Sequence, residues 1–165
     1  MMPRAPAVLG VSIGTRKIGI AILHGTRIAH CRVSVFKGEW GCNKLQGILG
    51  RIDKYARRHH VASFSLKVPS RAYHSPGLSS LIASIEEYCK THGIQLHICT
   101  IRELKAYSAK EGVRNKKELV QALAGRHPVL HLTAQKEQKL RNTYYTKMFE
   151  AVAAAELLQG QIPQY

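Results

Sequence analysis

Five short β-rich runs, interleaved with amphipathic helical stretches, predict an α/β domain with a mixed five-stranded sheet flanked by helices. Three observations carry that prediction. Residues 8–12, 18–23 and 27–35 are apolar or alternating and are joined by tight connections, so they form an antiparallel three-strand meander. Two later runs, 61–68 and 94–99, each follow a helical pattern, which makes them parallel strands. Beyond Thr100 the periodicity turns helical.

In chain order, the first strand enters a turn in which Gly14 suits a positive φ, and His24-Gly25-Thr26 makes a short hairpin connection. "EWGCNKL" is loop, with Asn43 as a helix cap, and Trp40 within it is either an anchor or an exposed contact. Leu45, Ile48, Leu49, Ile52, Tyr55 and Ala56 recur at three- and four-residue spacing and predict a helix over 44–59. After the fourth strand, stopped by Pro69, "SRAYHSPG" is a loop. Leu78, Leu81, Ile82, Ile85, Tyr88 and Cys89 then describe a helix ended by Gly93. A short helix spans 101–110, and Asn115 with Glu118 resembles a capping box opening a helix that ends near Gly125. Residues 126–142 are polar and stay open between helix and loop. Residues 144–158 form an alanine-rich closing helix.

With 165 residues, 45% of them hydrophobic, the chain suffices for one domain, 1–165, with a packed core. Its 25 Lys and Arg against 10 Asp and Glu give a net charge of +15. A field of that sign attracts polyanions, nucleic acid first among them, because closely spaced phosphates release counterions when neutralised. No run approaches the roughly 20 apolar residues of a membrane span, and "MMPRAPAV" lacks the apolar core of a secretory signal, so the expected location is the cytoplasm, with no membrane partner. Cys31, Cys42, Cys89 and Cys99 have no C-x-x-C spacing and are read as reduced thiols. The nine histidines lack a ligand spacing; His59-His60, beside Arg57-Arg58, are read as charges at a helix end.

"VLGVSIGTRKIGIAIL", residues 8–23, resembles the opening of RuvC-type Holliday-junction resolvases and the related YqgF proteins. "RELKAYSAKEGVRNKKELVQAL", residues 102–123, is similar to their DNA-facing segment, and "FEAVAAAELL" from Phe149 to their closing helix. The resemblance spans nearly the whole chain and implies a ribonuclease-H-like fold, a nucleic-acid partner and a homodimer. It also implies carboxylates at the ends of the first and fourth strands and on the last helix, where they hold the divalent cations that cut a phosphodiester.

Here those positions are degenerate. Ser12 ends the first strand, "VASFSLKVP" offers only Lys67, and on the last helix Glu150 matches an acidic position while Lys147 stands where a second is expected. The single aspartate, Asp53, sits beside Lys54 on the first helix and reads as part of a charged surface. No residue is thus assigned to catalysis, Glu150 is the one candidate metal ligand, and no cofactor is expected unless Mg²⁺ or Mn²⁺ serves an atypical nuclease. The sequence leans away from an enzyme.

Lys67 and Lys147, if both project into the former metal cleft, would hold a phosphate without activating water. Further candidates for nucleic-acid contact are Arg16 and Lys17 on the first turn, and Lys105, Lys110, Arg114, Lys116 and Lys117 in the resolvase-like segment. Arg57, Arg58, Lys136, Lys139 and Arg141 supply more charge, and Tyr73, Tyr107, Tyr144 and Tyr145 are candidates for stacking on unpaired bases. The favoured function is a noncatalytic protein that binds structured DNA or RNA through a basic face. The alternatives are an active metal-dependent endonuclease or junction resolvase with atypical ligands, and a basic adaptor for an acidic protein.

Overall fold

A computed structural model describes residues 6–14, 16–140 and 143–161. Five strands, β1 (Ala7–Ser12), β2 (Lys17–His24), β3 (Arg27–Val35), β4 (Val61–Lys67) and β5 (Gln95–Cys99), form one sheet in the order β3-β2-β1-β4-β5. β1 pairs antiparallel with β2 and parallel with β4, while β2 pairs antiparallel with β3 and β4 parallel with β5. This is the mixed sheet that the sequence pattern predicts.

Period-two alternation decides what each face of the sheet can pack against. Leu9, Val11, Ile18, Ile20, Ile22, Phe64 and Leu66 point to one side, where helices α1 (Cys42–Arg58) and α2 (Pro76–Thr91) cover them with Ile48, Ile52, Leu81 and Ile85. The opposite face of the central strands carries small or polar residues, Gly10, Ser12, Gly19, Ala21, Ser63 and Ser65, together with Lys67. Helix α6 (Thr146–Gln161) lies directly on this face, its backbone so close that a Cβ on Gly10 would overlap the Ala151 carbonyl oxygen. Small residues on both partners permit that approach, and Ala151, Ala153, Ala154 and Ala155 are each at most 1% exposed. Helices α3 (Ile101–Tyr107), α4 (Lys116–Arg126) and α5 (His131–Lys139) complete the second layer through Leu104, Leu119, Leu123 and Ala134.

Several local readings change. α1 begins at Cys42 with Gly41 as its cap, so Asn43 is inside the helix. Gly14 has no positive φ; it is small because Lys147 Cε lies 3.2 Å from where a Cβ would stand, and the hairpin glycine with positive φ (62°) is Gly25. The capping box is present, the Asn115 side chain accepting from Glu118 N–H at 2.9 Å. Residues 126–142, left open, contain α5 as far as Lys139. Trp40 is an anchor: it packs on the first core, its ring filling the space a Cβ at Gly77 would need. Asp53 is no idle surface charge, since Tyr88 Oη and Arg57 Nε each donate to it at 2.8 Å and tie α2 to α1. His59 caps α1 without supplying charge, because burial and the neighbouring His24 and Arg58 hold its pKa below the ordinary value. Among the described residues no helix is long and apolar enough to cross a membrane.

Candidate nucleic-acid cleft

The ends of β1 and β4 lie side by side, with Ser12 in register with Lys67, and the first turns of α6 pass over both. Consequently Ser12, Lys67, Lys147 and Glu150, far apart in sequence, converge. Lys67 Nζ lies 2.6 Å from Glu150 Oε2, and their side chains are only 3% and 1% exposed. Lys116 and Lys147 approach the other carboxylate oxygen at 3.8 and 3.9 Å. Neither Glu150 oxygen receives a well-aligned hydrogen bond, and the buried Ser12 hydroxyl also has no partner among the described residues. The centre is therefore held by Coulomb attraction in a medium that screens it poorly.

Lys147 sits differently from Lys67. Its Nζ donates to the Ile13 carbonyl at 3.3 Å and retains 24% exposure, so it reaches the cleft from below. Desolvation pushes its pKa down to about 8, Glu150 opposing the shift while Lys67 and Lys116 add to it. Between about 8 and the ordinary 10.5 the unfolded chain keeps a proton that the folded protein releases, so this residue makes stability rise with pH across that window. In ¹³C-methylated protein the Lys147 signal is expected to titrate near pH 8, well below solvated lysines. Titration in the ordinary lysine range would mean that the ammonium is not desolvated.

The start of α6 is fixed by a residue the sequence did not single out. Glu137, at the end of α5 and 9% exposed, accepts from Tyr144 N–H at 3.2 Å, Tyr145 N–H at 2.8 Å and Thr146 Oγ1 at 2.7 Å. A carboxylate placed there satisfies free helix donors and complements the dipole. It positions Lys147 and Glu150 one turn further on. At the other end of the helix, Glu156 pairs with Arg126 and His127 at the end of α4.

The mouth of the cleft is a hollow of about 360 Å³ lined by Arg16, Lys17, Pro69, Tyr73 and Lys147. Lys17 Nζ donates to the Thr143 carbonyl at 3.0 Å and stands 4.8 Å above the Tyr144 ring, while Arg16 is exposed. Lys116 and Lys117 line an adjoining hollow of about 250 Å³ with Glu137. Arg114 is exposed and Lys105 half-buried, and among the described residues neither is joined to the central ion pair. The side chain of Lys110, and Arg141, lie outside the described residues. Against expectation, Lys67 does not present its ammonium outward: it is enclosed and paired, and Lys147 is the lysine that keeps a path to the mouth.

The side chains present do not fit a pair of divalent cations. One carboxylate, one hydroxyl and two inner ammonium groups cannot supply the shared anionic oxygens that such ions need. The other described carboxylates are committed or distant: Asp53 to Tyr88, Glu118 to the α4 cap, Glu137 to α6, and Glu111 and Glu156 to Arg126. Among the described residues no group of three His, Cys, Asp or Glu could hold a metal.

No protein-family model matches this sequence, and no curated relative matches it. Solved structures resemble it in fold. Thermus thermophilus RuvC in complex with a Holliday junction substrate aligns with a TM-score of 0.68 at 12% identity, over 92% of this chain and 91% of that one. A further T. thermophilus RuvC structure gives 0.66 at 14% identity with the same coverage. The fowlpox virus resolvase in complex with Holliday junction DNA gives 0.54 at 13% identity, over 94% of this chain and 99% of that one.

Proposed function

From a chain with the RuvC-type, ribonuclease-H-like fold, we propose a protein that binds structured nucleic acid without cutting it. The observation that carries this reading is the Lys67–Glu150 pair at 2.6 Å, which puts an ammonium where a nuclease of this fold needs metal-bound carboxylates. An ammonium balances the remaining carboxylate but exchanges no bound water, so it generates no hydroxide to attack phosphorus. The cations at the mouth and the net charge of +15 supply the attraction for a polyanion. Two of the similar solved structures are complexes with Holliday junction DNA, which makes branched DNA the first ligand to try. On this reading the protein works in the cytoplasm, and as a homodimer it offers two clefts to a junction.

The test is a gel-shift titration against a four-way junction, duplex DNA, single strands and duplex RNA, at two salt concentrations, with magnesium and then manganese. Binding is expected to fall steeply with salt, and every substrate is expected to stay intact. Cleavage that disappears in Glu150→Gln would establish the atypical nuclease instead. Absence of salt-dependent binding would turn the search to an acidic protein partner.

A further inference from the structure

The hollow at the mouth of the cleft has two unlike walls. Arg16, Lys17 and Lys147 make one side cationic, while Pro69 and Tyr73 make the other apolar. Tyr73 is 77% exposed, an unusual position for a large ring that makes no stacking contact with another aromatic among the described residues. Its platform is nonetheless rigid. The residues 71–73 form a single 3₁₀ turn in which Tyr73 N–H donates to the Ser70 carbonyl at 2.9 Å. His74 Nε2 donates to the Pro69 carbonyl at 2.7 Å, and Ser75 caps the following α2 by accepting from Leu78 N–H at 3.1 Å.

A volume of about 360 Å³ is at the scale of small-ligand sites. A cationic wall suits a phosphodiester, and an exposed ring facing the same space suits the flat face of a base. In a duplex both faces of a base are already covered by its neighbours. The combination thus selects a nucleotide whose base is free.

Resting on the nucleic-acid reading above, we propose that this cleft seats a phosphodiester of an unpaired strand, with the adjoining base stacked on Tyr73. Arg16, Lys17 and Lys147 hold the phosphate, and the ring holds the base without reading its identity. Specificity for a branched or frayed structure then comes from unpaired nucleotides rather than from sequence.

Fluorescence anisotropy with a short oligothymidylate, the same oligomer carrying abasic sites, and a short duplex tests the assignment on the full chain. Tyr73→Ala is expected to weaken oligothymidylate binding by about five- to 150-fold. The same variant should leave duplex and abasic-oligomer affinities and the salt slope unchanged, and Tyr73→Trp should restore binding. An equal loss on all three ligands, or no loss on oligothymidylate, overturns the stacking site while leaving the nucleic-acid reading intact. If wild-type protein binds none of the three, both fall together.

Discussion

Lys67→Met is expected to destabilise the protein by about 3–5 kcal/mol in urea denaturation, because it leaves the Glu150 carboxylate buried without its partner. Glu150→Leu strands the Lys67 ammonium and should cost a similar amount. The double variant Lys67→Met/Glu150→Leu should recover most of that loss or exceed the wild type, since well-packed apolar side chains need no charge compensation. Exposure decides the scale: an ion pair on the surface is worth about 0–1 kcal/mol, whereas here the two side chains are 3% and 1% exposed. Lys116 and Lys147, at 3.8 and 3.9 Å, are too distant to replace a contact of 2.6 Å without moving. A Lys67→Met variant within about 1 kcal/mol of the wild type would mean that Glu150 finds water or another cation, and the sealed centre proposed above would be wrong.

That cycle also separates two ways of filling one place in the fold. A divalent ion neutralises several carboxylates and keeps exchangeable positions for water and substrate. The Lys67 ammonium carries one charge, is tethered to β4, and is already matched to the one carboxylate present. It thus supplies the stabilising half of the metal's work, joining strand ends to α6, and lacks the half that generates a nucleophile.

How much of this was legible depends on what each residue interacts with. The sheet order followed from period-two runs and short connections, and the α4 start from Asn115 and Glu118, because those signals lie within a few residues of each other. The degenerate centre was also legible, since it rests on residue types at strand and helix ends. The enclosure of Lys67 was not: a lysine at the end of a strand reads as solvated, and only the passage of α6 over that face makes it buried. Glu137 was missed for a related reason. Its partners are backbone N–H groups at Tyr144 and Tyr145, which leave no trace in side-chain periodicity, so a capping carboxylate looked like part of a polar segment. Gly41 rather than Asn43 at the start of α1 shows the same limit at a single helix end, where no side chain supplies the cap.

Gly19→Ala is expected to cost about 3 kcal/mol or more, at the upper end of what overpacking does, because its Cβ would overlap the Lys147 carbonyl. The strand cannot yield: Gly19 is paired with Ser12 on one side and Val33 on the other, in the middle of the meander. The helix must retreat instead, and its first turns carry Lys147 and Glu150. Relief of the desolvation at Lys147 should then raise its pKa from about 8 toward the lysine range, so the same variant loses stability and shifts a titration. Gly50→Ala is the control. Gly50 lies exposed inside α1 with nothing within 4 Å of a new Cβ, so alanine there should stabilise the protein by about 1 kcal/mol through helix propensity. Opposite signs from one chemical change would locate the cost of Gly19→Ala in the contact between β2 and α6. A Gly19→Ala variant as stable as the wild type, with Lys147 still titrating near 8, would show that α6 does not rest on the sheet this closely.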